Sequence, residues 1–129
     1  MGKRILIVED DELLADTLDI ALSGDSGITT AVAYSGEQAD KAIRLFKPNM
    51  VILDLMMPEV DGFELLKRWK TSGLSENIPI TVCTNLSSLD SAQRAINLGA
   101  HDYFVKNSST INVIVNHCHK TLATFGSTA

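Results

Sequence analysis

Cysteine occurs only twice, at Cys83 and Cys118, far apart and without any C-x-x-C spacing. That scarcity excludes a disulfide framework and a thiolate metal clip, and it suits a reducing, cytoplasmic setting. Proline is nearly as rare, with three residues, and aromatics contribute 5% against 45% hydrophobic residues overall. Neither a disordered nor a collagen-like chain has that composition. Long apolar runs are missing too. The first, Ile5 to Val8, stops at Glu9, too short for a membrane span or for the hydrophobic segment of a signal peptide. Positive charge is in deficit, with eleven Lys and Arg against sixteen Asp and Glu and a net charge of -5. That balance opposes the counterion release by which proteins grip polyphosphates, so neither direct nucleic-acid binding nor membrane association is expected. A chain of 129 residues suits one domain, long enough to remove roughly two-thirds of its unfolded surface from water.

What the chain does have is alternation. Short β-branched or Leu-rich runs at Ile5–Val8, Ile28–Ala33, Met50–Leu53, Ile78–Cys83 and Tyr103–Val105 alternate with segments of helical period. Leu14, Leu18, Ala21 and Leu22 share one helix face, as do Ala39, Ile43 and Phe46, then Phe63, Leu66 and Trp69, then Ala92, Ala95 and Ile96. Ile111, Ile114, Val115, Cys118 and Leu122 form the last apolar stripe. Gly24, Gly73 and Gly99 stand where left-handed helix caps want glycine, and Pro48 stops the second helix. Ser35 with Gln38, and Asp61 with Glu64, have capping spacing, and Glu64 can pair with Arg68. Continuous apolar strands are buried on both faces, the mark of a parallel sheet covered by helices. The predicted fold is α/β: a single doubly wound (βα)5 unit with a five-stranded parallel sheet, of the flavodoxin type. Five units are too few for a closed barrel.

In an open sheet of this kind, ligands collect beyond the carboxyl ends of the strands. There the first strand delivers Glu9, Asp10 and Asp11, the third Asp54, the fourth Thr84 and the fifth Lys106. Converging carboxylates raise each other's pKa unless a cation holds them, so the set asks for a hard divalent ion, Mg2+ fitting best, together with a lysine. Any one acid here could merely cap a helix, and Asp11 and Glu12 are read that way; capping needs neither Thr84 nor Lys106.

At these residues the chain resembles the receiver (CheY-like) domain of bacterial response regulators in two-component and phosphorelay signalling. The resemblance runs from about Arg4 to about Leu122, through Ile5–Asp11, the D-x-x-M-P motif from Asp54 to Pro58 followed by Asp61–Gly62, Thr84, and Gly99–Lys106. It implies one receiver domain over residues 1–129, core about 4–122; the short polar tail at 124–129 has no room for an effector domain, so the chain is expected to be either a stand-alone receiver or one cut from a longer protein. By matching position it makes Asp54 the phosphoacceptor, served by a sensor histidine kinase or a histidine phosphotransfer protein. Asp10, Asp54 and the backbone carbonyl of Met56 would bind Mg2+ directly, and Glu9 through water. Lys106 would pair with the phosphoryl oxygens, Thr84 would hydrogen-bond one of them, and Tyr103 would turn inward on activation. The surface of the fourth helix, fifth strand and fifth helix would then meet a downstream protein, from a monomer or a phosphorylation-dependent dimer. Such a domain is a signalling phosphoacceptor, catalysing only its own phosphorylation and slow dephosphorylation, rather than an enzyme.

The chain departs from the family at three points. Asn107 stands where a proline usually follows the lysine, so a trans bond with a shifted loop, or a strained exception, is expected and Lys106's reach is in question. Asn85 replaces a small residue, and the bulky pair Met56 and Leu86 implies slow loss of phosphate by shielding. His117 and His119 point about 200° apart on a helix and cannot chelate one ion; both are expected near the surface, with Cys118 in the core. Trp69 is read as packing, and Ser87, Ser88 and Asp90 as a loop and helix start. Among rival functions, an aspartate-nucleophile phosphatase of the haloacid-dehalogenase type needs an acid two residues after Asp54, where Met56 stands. Phosphate-binding and dinucleotide-binding glycine motifs are missing. A degenerate receiver, acting as a phosphorylation-independent binding module, stays open through Asn85 and Asn107.

Overall fold

The computed structural model describes residues 2–25 and 27–125. Its elements alternate: β1 (Lys3–Val8), α1 (Glu12–Ser23), β2 (Ile28–Ala33), α2 (Gly36–Phe46), β3 (Met50–Leu53), α3 (Gly62–Ser72), β4 (Ile80–Thr84), α4 (Leu89–Asn97), β5 (Asp102–Val105), a 3₁₀ turn (Lys106–Ser108) and α5 (Ile111–Thr124). The strands pair in the order β2-β1-β3-β4-β5, every pair parallel. The order reverses beside β1, which opens a crevice above the carboxyl ends of β1 and β3.

Both faces of the sheet are covered, as continuous apolar strands require. Leu6 and Val8 of β1 point to one face and pack with Ala39, Ile43, Leu66, Trp69 and Ala95. Ile5 and Ile7 point to the other and pack with Leu18, Leu22, Ile114 and Cys118. Thus α2, α3 and α4 cover one side and α1 and α5 the other. Each fully buried aliphatic side chain contributes roughly 1.5–3 kcal/mol, so one strand whose residues face both layers ties them into a single unit. Trp69 is fully buried, and its indole N–H donates to Asp40 Oδ1 at 3.1 Å.

Local chemistry starts the helices. Asp11 accepts from the N–H groups of Leu13 and Leu14, Ser35 from Gln38, Asp61 from Glu64, Ser88 from Ser91 and Thr110 from Val113. Arg68 meets Glu64 at 2.9 Å, as its spacing requires. Gly73 and Gly99 have φ of 81° and 104°. Gly24 does not take the expected left-handed cap: its φ is -65°, because its N–H bonds Ile20 and that of Asp25 bonds Leu22, which winds the chain onward. The fourth strand starts at Ile80 rather than Ile78. The Ile78 N–H is held by Ser75 in a turn, and strand pairing begins where the Pro79 carbonyl accepts from Val51. Thr124 is the last residue of α5 and not part of a tail; residues 126–129 of the expected tail lie outside the described ones.

Cys118 is fully buried, but His117 is not a surface residue. Thr81 on β4 buries a hydroxyl beneath α5, and His117 Nε2 meets it at 3.0 Å, with Thr121 Oγ1 at 3.2 Å and Asp102 Oδ2 at 3.4 Å. Burial holds this imidazole below its usual pKa, the nearby Asp102 carboxylate only partly opposing it. The neutral form is therefore favoured in the folded state. Its contribution to stability is present above about pH 6.5 and is lost as pH falls through the folded-state value. Between pH 7.5 and 5, the urea midpoint of wild type should fall further than that of His117→Gln, which has no imidazole to protonate. Equal falls would count against this burial.

Candidate functional site

Two backbone bonds align the strand ends that build the crevice. Glu9 N–H donates to the Ala33 carbonyl and Asp54 N–H to the Val8 carbonyl, each at 3.0 Å. Glu9 and Asp54 are each only 3% exposed, whereas Asp10 beside them is open to solvent. Carboxylate oxygens of all three lie within 4.8 Å of one another. This is the one group of acids, histidines and cysteines among the described residues close enough to hold a metal ion.

Lys106 answers the buried pair. Its Nζ lies 2.6 Å from Glu9 Oε1 and 3.0 Å from Asp54 Oδ2. The other oxygens are used as well: Asp54 Oδ1 accepts from the Met56 N–H at 3.1 Å, and Glu9 Oε2 from the Asp11 N–H at 3.2 Å. Two buried carboxylates thus share one ammonium, which leaves Glu9 pushed up to about 7 by burial, with Lys106 pulling it down and Asp54 adding repulsion. Burial also works against the Lys106 charge, yet bonds to Glu9 and Asp54 more than offset it and keep the ammonium above its usual pKa.

The question raised by Asn107 has a simple answer. No peptide bond among the described residues is cis, and Lys106 opens the 3₁₀ turn with its side chain across the crevice. Thr84 is fully buried, and its hydroxyl accepts from the Leu86 N–H at 3.5 Å, a long contact that leaves it weakly held. Asn85 is exposed and Leu86 half-buried. Met56, expected to shield the site, is 53% exposed, although its backbone N–H is at the site.

One contact was not legible in the chain. The Tyr103 hydroxyl donates to the Leu86 carbonyl at 2.7 Å, so β5 holds the segment between β4 and α4 by its backbone. Nothing in the residue types at 103 and 86 signals it, because any residue offers that carbonyl.

A parallel sheet with buried carboxylates and a lysine gathered at its switch point defines a doubly wound α/β domain with an acidic crevice. A family model for the response regulator receiver domain matches residues 5–117. The DNA-binding response regulator MtrA of Mycobacterium tuberculosis is 36% identical over 106 residues, covering 82% of this chain and 45% of its own. The response regulator MprA of Mycobacterium ulcerans is 34% identical over 106 residues, covering 82% of this chain and 44% of its own. The chain therefore spans just under half the length of these curated relatives. Among solved structures, a CheY-like receiver domain protein from Methanospirillum hungatei superposes with a TM-score of 0.89 over 100% of both chains, at 23% identity. The signal receiver domain of a DNA-binding response regulator from Colwellia psychrerythraea gives 0.86 at 29% identity, over 95% of this chain and 99% of that one. The chain belongs to the response regulator receiver domain family.

The Tyr103 contact is open to test. Tyr103→Phe should lower stability by about 1 kcal/mol, the usual loss for one such hydrogen bond, and speed amide exchange at residues 85–88. Unchanged exchange in that segment would show that the bond does not hold it.

Proposed function

We propose that this domain is a phosphoacceptor whose Asp54 takes a phosphoryl group from the phosphohistidine of a sensor kinase or a phosphotransfer protein. The observation that carries the reading is the Lys106 ammonium, held between Glu9 and Asp54 at 2.6 and 3.0 Å. An Asp54 oxygen attacks phosphorus, the P–N bond to the donor imidazole breaks, and an acyl phosphate forms on the chain. That transfer asks mainly for positioning and charge neutralisation. The buried position of Asp54 excludes bulk water, and Lys106 stands ready to follow the charge from carboxylate to phosphoryl oxygen.

The acidic cluster fits a hard dication. Three carboxylate side chains offer oxygens within 4.8 Å, one of them solvent-exposed, and a single lysine leaves them under-neutralised. Asp10 and Asp54, with the Met56 carbonyl, would hold Mg2+ directly and Glu9 through water; the ion supplies charge neutralisation for the incoming phosphoryl oxygens. Phosphorylation would then add close to two negative charges at Asp54. The weakly held Thr84 hydroxyl is the group free to turn toward them, and in turning it releases the Leu86 N–H. Tyr103 grips the same residue from the other side, so the segment between β4 and α4 would shift with it. Inverting a 1:99 population takes about 5.5 kcal/mol, within reach of a few charge-assisted hydrogen bonds.

The face that would respond is α4-β5-α5, on which Leu89, Ile96 and Val113 are exposed apolar residues; it is the surface offered to a downstream protein. The rival reading, a phosphorylation-independent module, drew on Asn85 and Asn107; the reach of Lys106 across a trans bond answers the second and supports the phosphoacceptor reading. No helix among the described residues is long and apolar enough to cross a membrane. The domain transfers phosphate to itself and turns over no separate substrate.

Incubated with Mg2+ and acetyl phosphate, the protein should gain the mass of one phosphoryl group. Asp54→Asn, or chelation of the Mg2+, should abolish the gain. A mass increase that persists in Asp54→Asn would overturn the assignment.

A further inference from the structure

The segment between β3 and α3 carries the Met56 N–H to Asp54, and it is pressed into place from outside the site. We propose that Gly36, the first residue of α2, is a positioning residue for the Asp54 site: its bare Cα is the seat on which Val60 rests, and that seat sets where Met56 presents its backbone. Gly36 lies outside every motif that marks the site, and it touches none of the site's charged groups.

Gly36 is buried, and its φ is outside the left-handed range, so backbone conformation does not demand glycine there. Helix propensity argues against it, since glycine costs roughly 0.5–1 kcal/mol relative to alanine. Space supplies the reason. A methyl group at Gly36 would stand 2.7 Å from Val60 Cβ and 2.9 Å from its Cγ1, with the Val60 carbonyl oxygen closer still. Backbone and the root of a side chain cannot swing aside as a flexible tip would.

The helix cannot retreat either, because Ala39 and Ile43 anchor α2 in the core. Displacement therefore passes to residues 55–61, which are already pinned at their far end. There the Gly62 N–H bonds the Leu55 carbonyl at 3.0 Å, and a methyl at Gly62 would lie 2.5 Å from the Asp54 carbonyl oxygen and 2.7 Å from Leu55 Cα. Leu55 and Met57 are buried and Glu59 already sits at φ 66°, a conformation costly for a non-glycine residue. Exposed Met56 has the most room to move, and its N–H is the one on Asp54.

The chemical consequence of this seat rests on the phosphoacceptor reading; its geometry does not. The test compares Gly36→Ala, Val60→Gly and the double variant in the full chain. The position of the Met56 amide is read by NMR without added metal, and the Mg2+ midpoint by titrating the same spectra. Gly36→Ala should move the Met56 amide and raise the Mg2+ midpoint about tenfold, the scale on which groups supporting metal ligands act. Val60→Gly alone should raise the midpoint by loosening the seat, and in the Gly36→Ala background it should leave most of the loss in place, since the Val60 carbonyl oxygen that the methyl meets first is retained. A glycine needed only for stability would lower the melting temperature and leave both readouts at their wild-type values, and that result would overturn the proposal. Should Gly36→Ala fail to fold, Val60→Ala carries the same two readouts, and wild-type values for both would again be fatal. If wild type itself takes up neither Mg2+ nor phosphate, the phosphoacceptor reading falls while the Met56 amide still decides the positioning role.

Discussion

Two carboxylates that are each 3% exposed and one lysine that reaches both set the terms for everything else in this domain. Burying an unpaired carboxylate costs several kcal/mol, and here a single ammonium serves two. The other oxygen of each accepts from a backbone N–H, that of Met56 on Asp54 and that of Asp11 on Glu9. Burial nevertheless pushes the Glu9 carboxyl up to about 7, Lys106 only partly opposing it. A site left short of positive charge in the resting state is one that gains from a dication.

The parallel sheet makes that arrangement possible. Glu9, Asp54 and Lys106 come from three strands that are spaced across the sequence and adjacent, or nearly so, across the sheet. Apolar residues on both faces of β1 and β3 fix those strands in register, and the same burial takes the acids at their ends out of water. Hydrophobic packing thus contributes the low-dielectric setting as well as the fold. Charged side chains held in that setting interact more strongly with one another than exposed ones would.

Much of this was legible in the residues alone. Continuous apolar strands, capping serines and aspartates, and polar residues at the strand ends are local signals, and local structure followed them. What escaped depended on partners supplied by distant segments. His117 was expected near the surface from its helical position, and it turned inward because Thr81, on another element, buries a hydroxyl that needs a partner. Gly24 resembled a cap, but the turn to Asp25 continued the winding. Whether Lys106 could reach its acids past Asn107 was not decidable from a list of residues. The answer lay in the path of a short 3₁₀ turn.

The same distinction separates the two kinds of residue around Asp54. Those that face the crevice are constrained by charge, and a sequence displays charge openly. Those that hold the intervening segments are constrained by space, and a sequence hides it: nothing in the residue type marks Gly36 as a seat, and any residue at position 86 would offer the same carbonyl. Yet the Leu86 carbonyl ties β5 to the segment after β4, and the Gly36 Cα bears on the segment after β3. Both segments flank Asp54, one leading into α3 and the other into α4. A change at Asp54 therefore has two routes outward. The route through Thr84 and Leu86 is held by one weak and one short hydrogen bond, whereas the route through Met56 and Val60 is wedged against packed backbone. On the phosphoacceptor reading proposed above, a charge added at the crevice would move the first more readily than the second and so direct the response toward α4 and β5.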